Sequence, residues 1–346
     1  MTSEALGDTA SSPTALRGGG EPSAPLLEIR NLSISYHLAQ STVLAADNVS
    51  FSVGRGEILG VVGESGSGKT TVVRSIIRLL REPPAEVSGG EIWFDGQDLL
   101  RLRHSEMRAL RGARIGLVFQ DPFASLNPCL QVGKQIAESL RYRGRMSRGE
   151  VRDRVLEVMT LVGIPDARRR LSAYPTELSG GLRQRIGIAS ALALSPDLVL
   201  ADEPTTALDV TIQEQILILL RKLRDELGMS FIIVTHDLGV VAQTCDRVIV
   251  MYAGRVVEVG PADQILRSPA HPYTKALIAA IPHGVGRDAR LPAIPGAPPS
   301  LSERPEGCAF APRCALAQDA CSRGVPPLEF HAPGRWSACF RHTELD

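Results

Sequence analysis

Short apolar runs that end in polar or charged residues alternate along the chain with stretches whose apolar positions recur at helical spacing. From Leu27 to Tyr36, Leu27, Ile29, Ser33 and Ser35 share one alternation. Glu28, Arg30, Leu32, Ile34 and Tyr36 share the other, which predicts a strand with an imperfect period of two. A second strand, Asn48–Val53, meets the apolar run Ile58–Val62 through the turn Gly54-Arg55-Gly56. Thr70–Leu80 reads as a helix burying Val72, Val73, Ile76, Ile77, Leu79 and Leu80, ended by Pro83-Pro84. Glu91–Phe94, followed by Asp95-Gly96, reads as a short strand and turn.

Ile115–Phe119 is the next apolar strand, and Gln120–Pro128 with its prolines predicts an ordered loop rather than a helix. Ser147 and Glu150 have capping-box spacing ahead of Val151, Val155, Val158 and Val162, so an α-rich segment is expected between strands from about Phe123 to Leu194. Its last helix opens at Leu178-Ser179-Gly180-Gly181 and runs through Ala193. The strand Leu198–Ala201 then ends in Asp202 and Glu203. Ile212, Ile216, Leu219, Leu220, Leu223 and Leu227 mark an amphipathic helix. Phe231–Val234 reads as a fully buried strand ending at Thr235-His236, and Val248–Met251 with Val256–Val259 forms a hairpin around Tyr252–Arg255. Strands alternating with helices, with chemistry at the strands' C-terminal ends, predict an α/β nucleotide-binding parallel sheet. Proline and glycine rise from Gly284 to Ser302, which marks a linker.

Composition narrows this picture modestly. The 346 residues are long enough for two domains or one large domain with extensions, and 44% apolar with 22% charged residues is ordinary for globular proteins. Lys plus Arg equals Asp plus Glu, 38 each, so nothing in the balance points to bulk nucleic-acid binding. No run approaches the ~18 uninterrupted apolar residues of a membrane span. Met1–Pro25 is rich in small residues, carries Glu4 and Asp8 and lacks an apolar segment. It reads as a disordered tail and not as a signal peptide, which places the chain in the cytosol. Six cysteines there are expected to be thiols or metal ligands.

The richest chemistry lies in Gly63-Glu64-Ser65-Gly66-Ser67-Gly68-Lys69-Thr70-Thr71, which has the G-x-x-x-x-G-K-[ST] spacing directly after a strand and before a helix. Its glycines let backbone N–H groups close around phosphates. Lys69 reaches the outer phosphates, and the Thr70 hydroxyl sits on Mg²⁺. Asp202, at a strand end, would hold the magnesium shell, and Glu203 beside it would act on the attacking water as base or polariser. His236 ends the next core strand, where an imidazole could contact the γ-phosphate. Gln120 can ligate Mg²⁺ or a water. Ser179-Gly180-Gly181 at a helix start is a second anion cradle, which suggests service to a nucleotide held by another protomer.

Taken together, the phosphate loop, Gln120, Leu178–Gly181, Leu200–Pro204, Ala207-Leu208-Asp209 and His236 resemble the ordered motif set of an ABC transporter ATP-binding subunit from about Leu26 to Gly260. The resemblance implies a P-loop NTPase with a RecA-like mixed sheet core, an N-terminal antiparallel β subdomain and an inserted helical subdomain. It further implies domains at 26–265 and 266–346, the latter a C-terminal cysteine-bearing extension. It implies a head-to-tail pair of similar ATPase subunits with two ATP between them, Tyr36 stacking on adenine and Asp209 in the loop joining the two sites. Gln120 would lie in the loop that senses the membrane subunits. Leu182 stands where many relatives have Gln.

Gln120–Pro128, Ala207–Gln213, Met251–Gly254 and His271-Pro272-Tyr273-Thr274 narrow the resemblance to dipeptide, oligopeptide and nickel importers. That implies a peripheral protein on the cytoplasmic face of the membrane, two transmembrane permease subunits and an extracytoplasmic binding protein. A soluble ABC ATPase acting on ribosomes or DNA is the alternative. Such proteins commonly carry two cassettes or a long coiled-coil insertion, and neither pattern is present here. Cys308, Cys314, Cys321 and Cys339 suit Zn²⁺ or a [4Fe–4S] cluster by residue type, and free thiols are the plain alternative. The importer resemblance, in which some members hold a cluster in this extension, places [4Fe–4S] ahead of zinc. Cys129 and Cys245 are isolated and read as packing residues.

Overall fold

The computed structural model describes residues 24–39, 41–144, 146–206, 208–281 and 293–345. The first 23 residues of the expected tail, residues 284–292 of the expected linker, and Ala207 lie outside the described residues. The chain opens with β1 (Leu27–His37), β2 (Thr42–Val53), β3 (Ile58–Val62) and α1 (Lys69–Ile76). β4 (Ala85–Phe94), β5 (Gln97–Asp98) and α2 (His104–Leu110) lead to β6 (Ile115–Val118). The helices α3 (Pro122–Ser125), α4 (Val132–Tyr142), α5 (Arg148–Leu161), α6 (Ala167–Arg170) and α7 (Gly180–Leu192) are inserted before β7 (Leu198–Asp202). Then come α8 (Val210–Leu227), β8 (Ser230–Thr235), α9 (Leu238–Thr244), β9 (Arg247–Tyr252), β10 (Arg255–Pro261), α10 (Ala262–Arg267) and α11 (Pro272–Ala279). α12 (Asp319–Arg323), β11 (Glu329–Ala332) and β12 (Arg335–Ser337) close the chain.

Two sheets result. One is antiparallel in the order β2-β1-β4-β5. The other is mixed in the order β11-β12-β10-β9-β3-β8-β7-β6, parallel from β9 to β6. The parallel strands are apolar throughout because both faces are covered. Leu59, Val61, Leu200, Ile232 and Val234 pack toward the antiparallel sheet and α1, while Ile58, Val199, Ala201, Phe231 and Ile233 pack toward α8 and the inserted helices. Each such buried side chain contributes ~2 kcal/mol of burial, so the phosphate loop at the end of β3 stands on a strand that is buried throughout.

Several boundaries depart from the pattern-based expectation. The imperfect period of β1 comes from Asn31, which takes φ 49, and from register shifts between Ile29 and Ser35. The buried set therefore moves from Leu27 and Ile29 to Leu32 and Ile34. α1 stops at Ile76 rather than Leu80. Arg78 turns left-handed (φ 50), Arg111 binds the freed carbonyls of Ile77 and Arg78 at 2.8 Å each, and Leu79 is left exposed. The loop after β6 contains a one-turn helix, α3, capped by Asp121, whose carboxylate accepts from the Phe123 N–H at 2.7 Å. The capping box at Ser147 and Glu150 forms as its spacing requires, with Val151, Val155, Val158 and Val162 buried.

The pattern of the last residues gave no sign that they extend the core sheet. β12 pairs with β10, setting Ser337 opposite Glu258 and Trp336 opposite Val259, and β11 covers β12. The His271–Thr274 turn is buried under this extension. His271 accepts the Tyr273 N–H on Nδ1 at 3.0 Å and bonds the Ala338 backbone. Burial pushes the imidazole from 6.5 down to about 3, so it is neutral in the fold. A depressed folded pKa means stability that is present above 6.5 and lost progressively as pH falls toward about 3. Between pH 7 and pH 5 this group alone should cost ~2 kcal/mol. His271→Gln should remove that share, and equal pH slopes of urea unfolding in wild type and variant would refute it.

Candidate nucleotide site

The phosphate loop joins β3 to α1 in left-handed steps at Gly63 (φ 149), Gly66 (φ 79) and Gly68 (φ 95). A Cβ on Gly63 would drive into the Met251 carbonyl oxygen, and one on Gly68 into that of Ala45, so neither position tolerates a side chain. Gly254, in the β9–β10 turn, donates its N–H to the Ser67 carbonyl at 3.0 Å and fixes the loop from the side. Ser67 is buried, Ser65 and Gly66 are exposed, and Thr71 is half-buried on the first turn of α1.

Lys69 folds back over the loop it follows. Its Nζ donates to the Gly63 and Glu64 carbonyls at 2.7 and 2.8 Å and approaches Ser67 Oγ at 3.4 Å. Burial lowers its pKa, and the nearby Glu203, Asp202 and Glu64 carboxylates oppose that shift. The ammonium thus occupies a cradle shaped for an anion.

The carboxylates converge from β7. Asp202, 2% exposed, accepts the Thr70 hydroxyl at 2.9 Å and Arg74 at 3.2 Å. Glu203 takes a left-handed conformation (φ 48), its N–H bonded to Val234 on β8. Its carboxylate accepts from Gln120 and Thr206, each at 2.9 Å, and lies 3.3 Å from His236 Nδ1. The structure therefore gathers Lys69, Thr70, Asp202, Glu203, Gln120 and His236 at one edge of the parallel sheet. Thr70 and Asp202 offer hard oxygen donors side by side, with the Gln120 amide nearby, a set suited to Mg²⁺. Thr206 and Arg74 belong to the same network, and no motif spacing in the sequence marked them.

Other expected residues stand apart. Ser179 caps α7, accepting the Leu182 N–H at 3.4 Å, and a Cβ on Gly181 would come within 2.6 Å of Ile212. Among the described residues no hydrogen bond joins this segment to the phosphate loop. Asp209 caps α8 through the Ile212 N–H at 3.0 Å, and Gln213 one turn on binds Asp237 beside His236 at 3.0 Å. Tyr36 is half-buried near the end of β1, in the antiparallel sheet. A cavity of about 1240 Å³ opens elsewhere, between α5–α6 and the end of α8, and contains none of these side chains.

The cysteines require a correction. Cys308, Cys314, Cys321 and Cys339 do line one cavity, but its volume is about 20 Å³, room for about one water and not for a cluster. Among the described residues no group of three or more His, Cys, Asp or Glu is placed to hold a metal ion. Burial raises the pKa of Cys308 and Cys314, and that of Cys339 to about 11. The expected [4Fe–4S] cluster is not supported by this arrangement. Cys129 is exposed rather than packed.

Comparison with known proteins agrees with the geometry. Residues 46–206 match the family described as ABC transporter, and residues 257–321 match the oligopeptide/dipeptide transporter C-terminal region. The chain is 50% identical over 321 residues, 92% of its own length and 96% of the relative's, to a "Probable peptide ABC transporter ATP-binding protein" of Sinorhizobium fredii. The chain belongs to the ABC transporter ATP-binding proteins. Among solved structures, this ABC protein resembles a dimeric ATP-binding cassette in a post-hydrolysis state with ADP and Pi, at TM-score 0.61 and 33% identity over 68% of this chain and 98% of that one. It resembles cbiO1 of Clostridium perfringens, part of an ABC transporter complex, at TM-score 0.61 and 29% identity over 70% and 91% of the two chains. Membership of this family implies ATP and Mg²⁺ as ligands. Among the described residues no helix is long and apolar enough to cross a membrane.

Proposed function

We propose that this ABC protein binds and hydrolyses ATP to drive uptake of dipeptides or oligopeptides, from the cytoplasmic face of a membrane. In this reading it works as one of a head-to-tail pair of similar ATPase subunits with two transmembrane permeases and an extracytoplasmic binding protein. The single observation that carries it is the convergence of Lys69, Thr70, Asp202, Glu203, Gln120 and His236 beside a side-chain-free phosphate cradle.

On nucleotide binding Lys69 exchanges the carbonyls of Gly63 and Glu64 for the outer phosphates. Thr70, Asp202 and Gln120 would hold Mg²⁺, whose charge would offset that of the phosphates. Glu203 orients and polarises water, with Gln120 and Thr206 fixing its carboxylate and His236 beside it. Ser179, Gly180 and Gly181, remote from the loop of their own chain, serve the nucleotide of the partner, with Asp209 between the sites. Tyr36 offers a ring to the adenine.

Peptide as the cargo is supported by the match of residues 257–321 and by the name of the Sinorhizobium fredii relative. The test is ATPase activity of the complex reconstituted with its permeases and binding protein in vesicles. Stimulation by di- or oligopeptide supports the reading. Stimulation by Ni²⁺ alone, or full activity on ribosomes or DNA without permeases, overturns it.

A further inference from the structure

The C-terminal extension reaches into the phosphate loop. Arg313 lies in the single turn Ala311–Arg313, with its side chain 5% exposed. Its two terminal nitrogens meet both carboxylate oxygens of Glu64 at 2.7 and 2.9 Å, a bidentate fork. Two further donors are committed, to the Tyr252 hydroxyl at 3.1 Å and the Pro295 carbonyl at 2.8 Å. The guanidinium lies 5.8 and 5.9 Å from the ring centroids of Tyr252 and Phe310. From α11 the Tyr273 hydroxyl accepts the Glu64 backbone N–H at 2.8 Å. Glu64 is thus fastened by side chain and by main chain to residues outside the phosphate-loop motif.

Glu64 has a carboxylate in a loop built to receive phosphate. Unpaired, it would repel a triphosphate and compete for Lys69, whose Nζ already bonds the Glu64 carbonyl. We propose that Arg313 is a positioning residue of the nucleotide site, neutralising Glu64 and turning it away so that the loop accepts the phosphates. This makes the extension part of the nucleotide site, and it rests on the nucleotide-binding reading above.

The full-length chain is titrated with MgATP as wild type, Arg313→Ala, Arg313→Lys and the double variant E64Q/R313A, with melting temperatures recorded alongside. Arg313→Ala should weaken ATP binding about tenfold and act mainly on the KM for ATP. Arg313→Lys keeps the charge without the fork and should show a smaller loss, which covers the case in which the alanine variant does not fold. E64Q/R313A should regain most of the affinity, because no charge is left to neutralise. A merely structural role would lower the melting temperature of both arginine variants without this rescue. Wild-type affinity in Arg313→Ala, or no recovery on adding E64Q, overturns the proposal. Failure of the wild type to bind MgATP would instead overturn the nucleotide reading.

Discussion

Glu203→Gln is expected to lower steady-state ATP hydrolysis by a factor of roughly 10² to 10⁴ while leaving MgATP bound. The glutamine amide keeps an oxygen that can accept from Gln120 and Thr206, so the loop between β7 and α8 has little reason to move. What it loses is the negative charge and the capacity to take a proton from water. The left-handed backbone at φ 48 aims the side chain into this network, and the main-chain bond to Val234 is independent of side-chain identity. The retained nucleotide should favour the paired state, so the variant is expected to show an ATP-dependent dimer by size-exclusion chromatography alongside lost phosphate release. Phosphate release at the wild-type rate would remove Glu203 from the reaction. Retained hydrolysis in a chain that never pairs would remove the two-subunit reading.

The parts of this site that could be read before the structure are those whose side chains are fixed by local geometry. A phosphate loop needs glycine where φ is positive and where another chain segment leaves no space for a Cβ, so Gly63 and Gly68 announce themselves. Asp202 ends one fully buried strand and His236 follows another, and the end of such a strand in a parallel sheet is predictable from its apolar run alone. Arg313 and Tyr273 could not be read this way. They reach Glu64 across 249 and 209 residues, and no periodicity records a contact of that separation. β12 escaped for a related reason, since three residues cannot establish an alternation and only the exposed edge of β10 makes them a strand.

The cysteines failed for a different reason. Their number and proximity in the chain fit a metal site, but a cluster also demands space. The fold supplies a cavity of about 20 Å³. One consequence is structural: the turn carrying Arg313 is strung between Cys308 and Cys314, with the Ala311 N–H bonded to the Cys308 carbonyl and the Cys314 N–H to that of Ala311. The extension's packing and the phosphate loop's charge balance are therefore set within the same few residues.

Lys69→Met should separate binding from stability. Lys69 is 6% exposed, and burial depresses its pKa, so the charged form is disfavoured in the fold relative to the unfolded chain. A depressed lysine costs stability at every pH below its unfolded value, and that cost vanishes only as the unfolded chain also loses its proton at alkaline pH. Methionine retains the apolar stem and removes the charge. It forfeits the bonds to the Gly63 and Glu64 carbonyls, so the net change in unfolding free energy is expected to stay within about 1 kcal/mol of zero at neutral pH. Binding should behave otherwise. Two charge-assisted bonds to phosphate oxygens are worth ~3 kcal/mol together, so MgATP affinity is expected to fall about a hundredfold. Urea unfolding and nucleotide titration on the same preparation measure both quantities. A variant that binds MgATP normally would show that Lys69 never leaves its own loop. One that unfolds readily would show that the lysine braces the loop instead of waiting for a ligand.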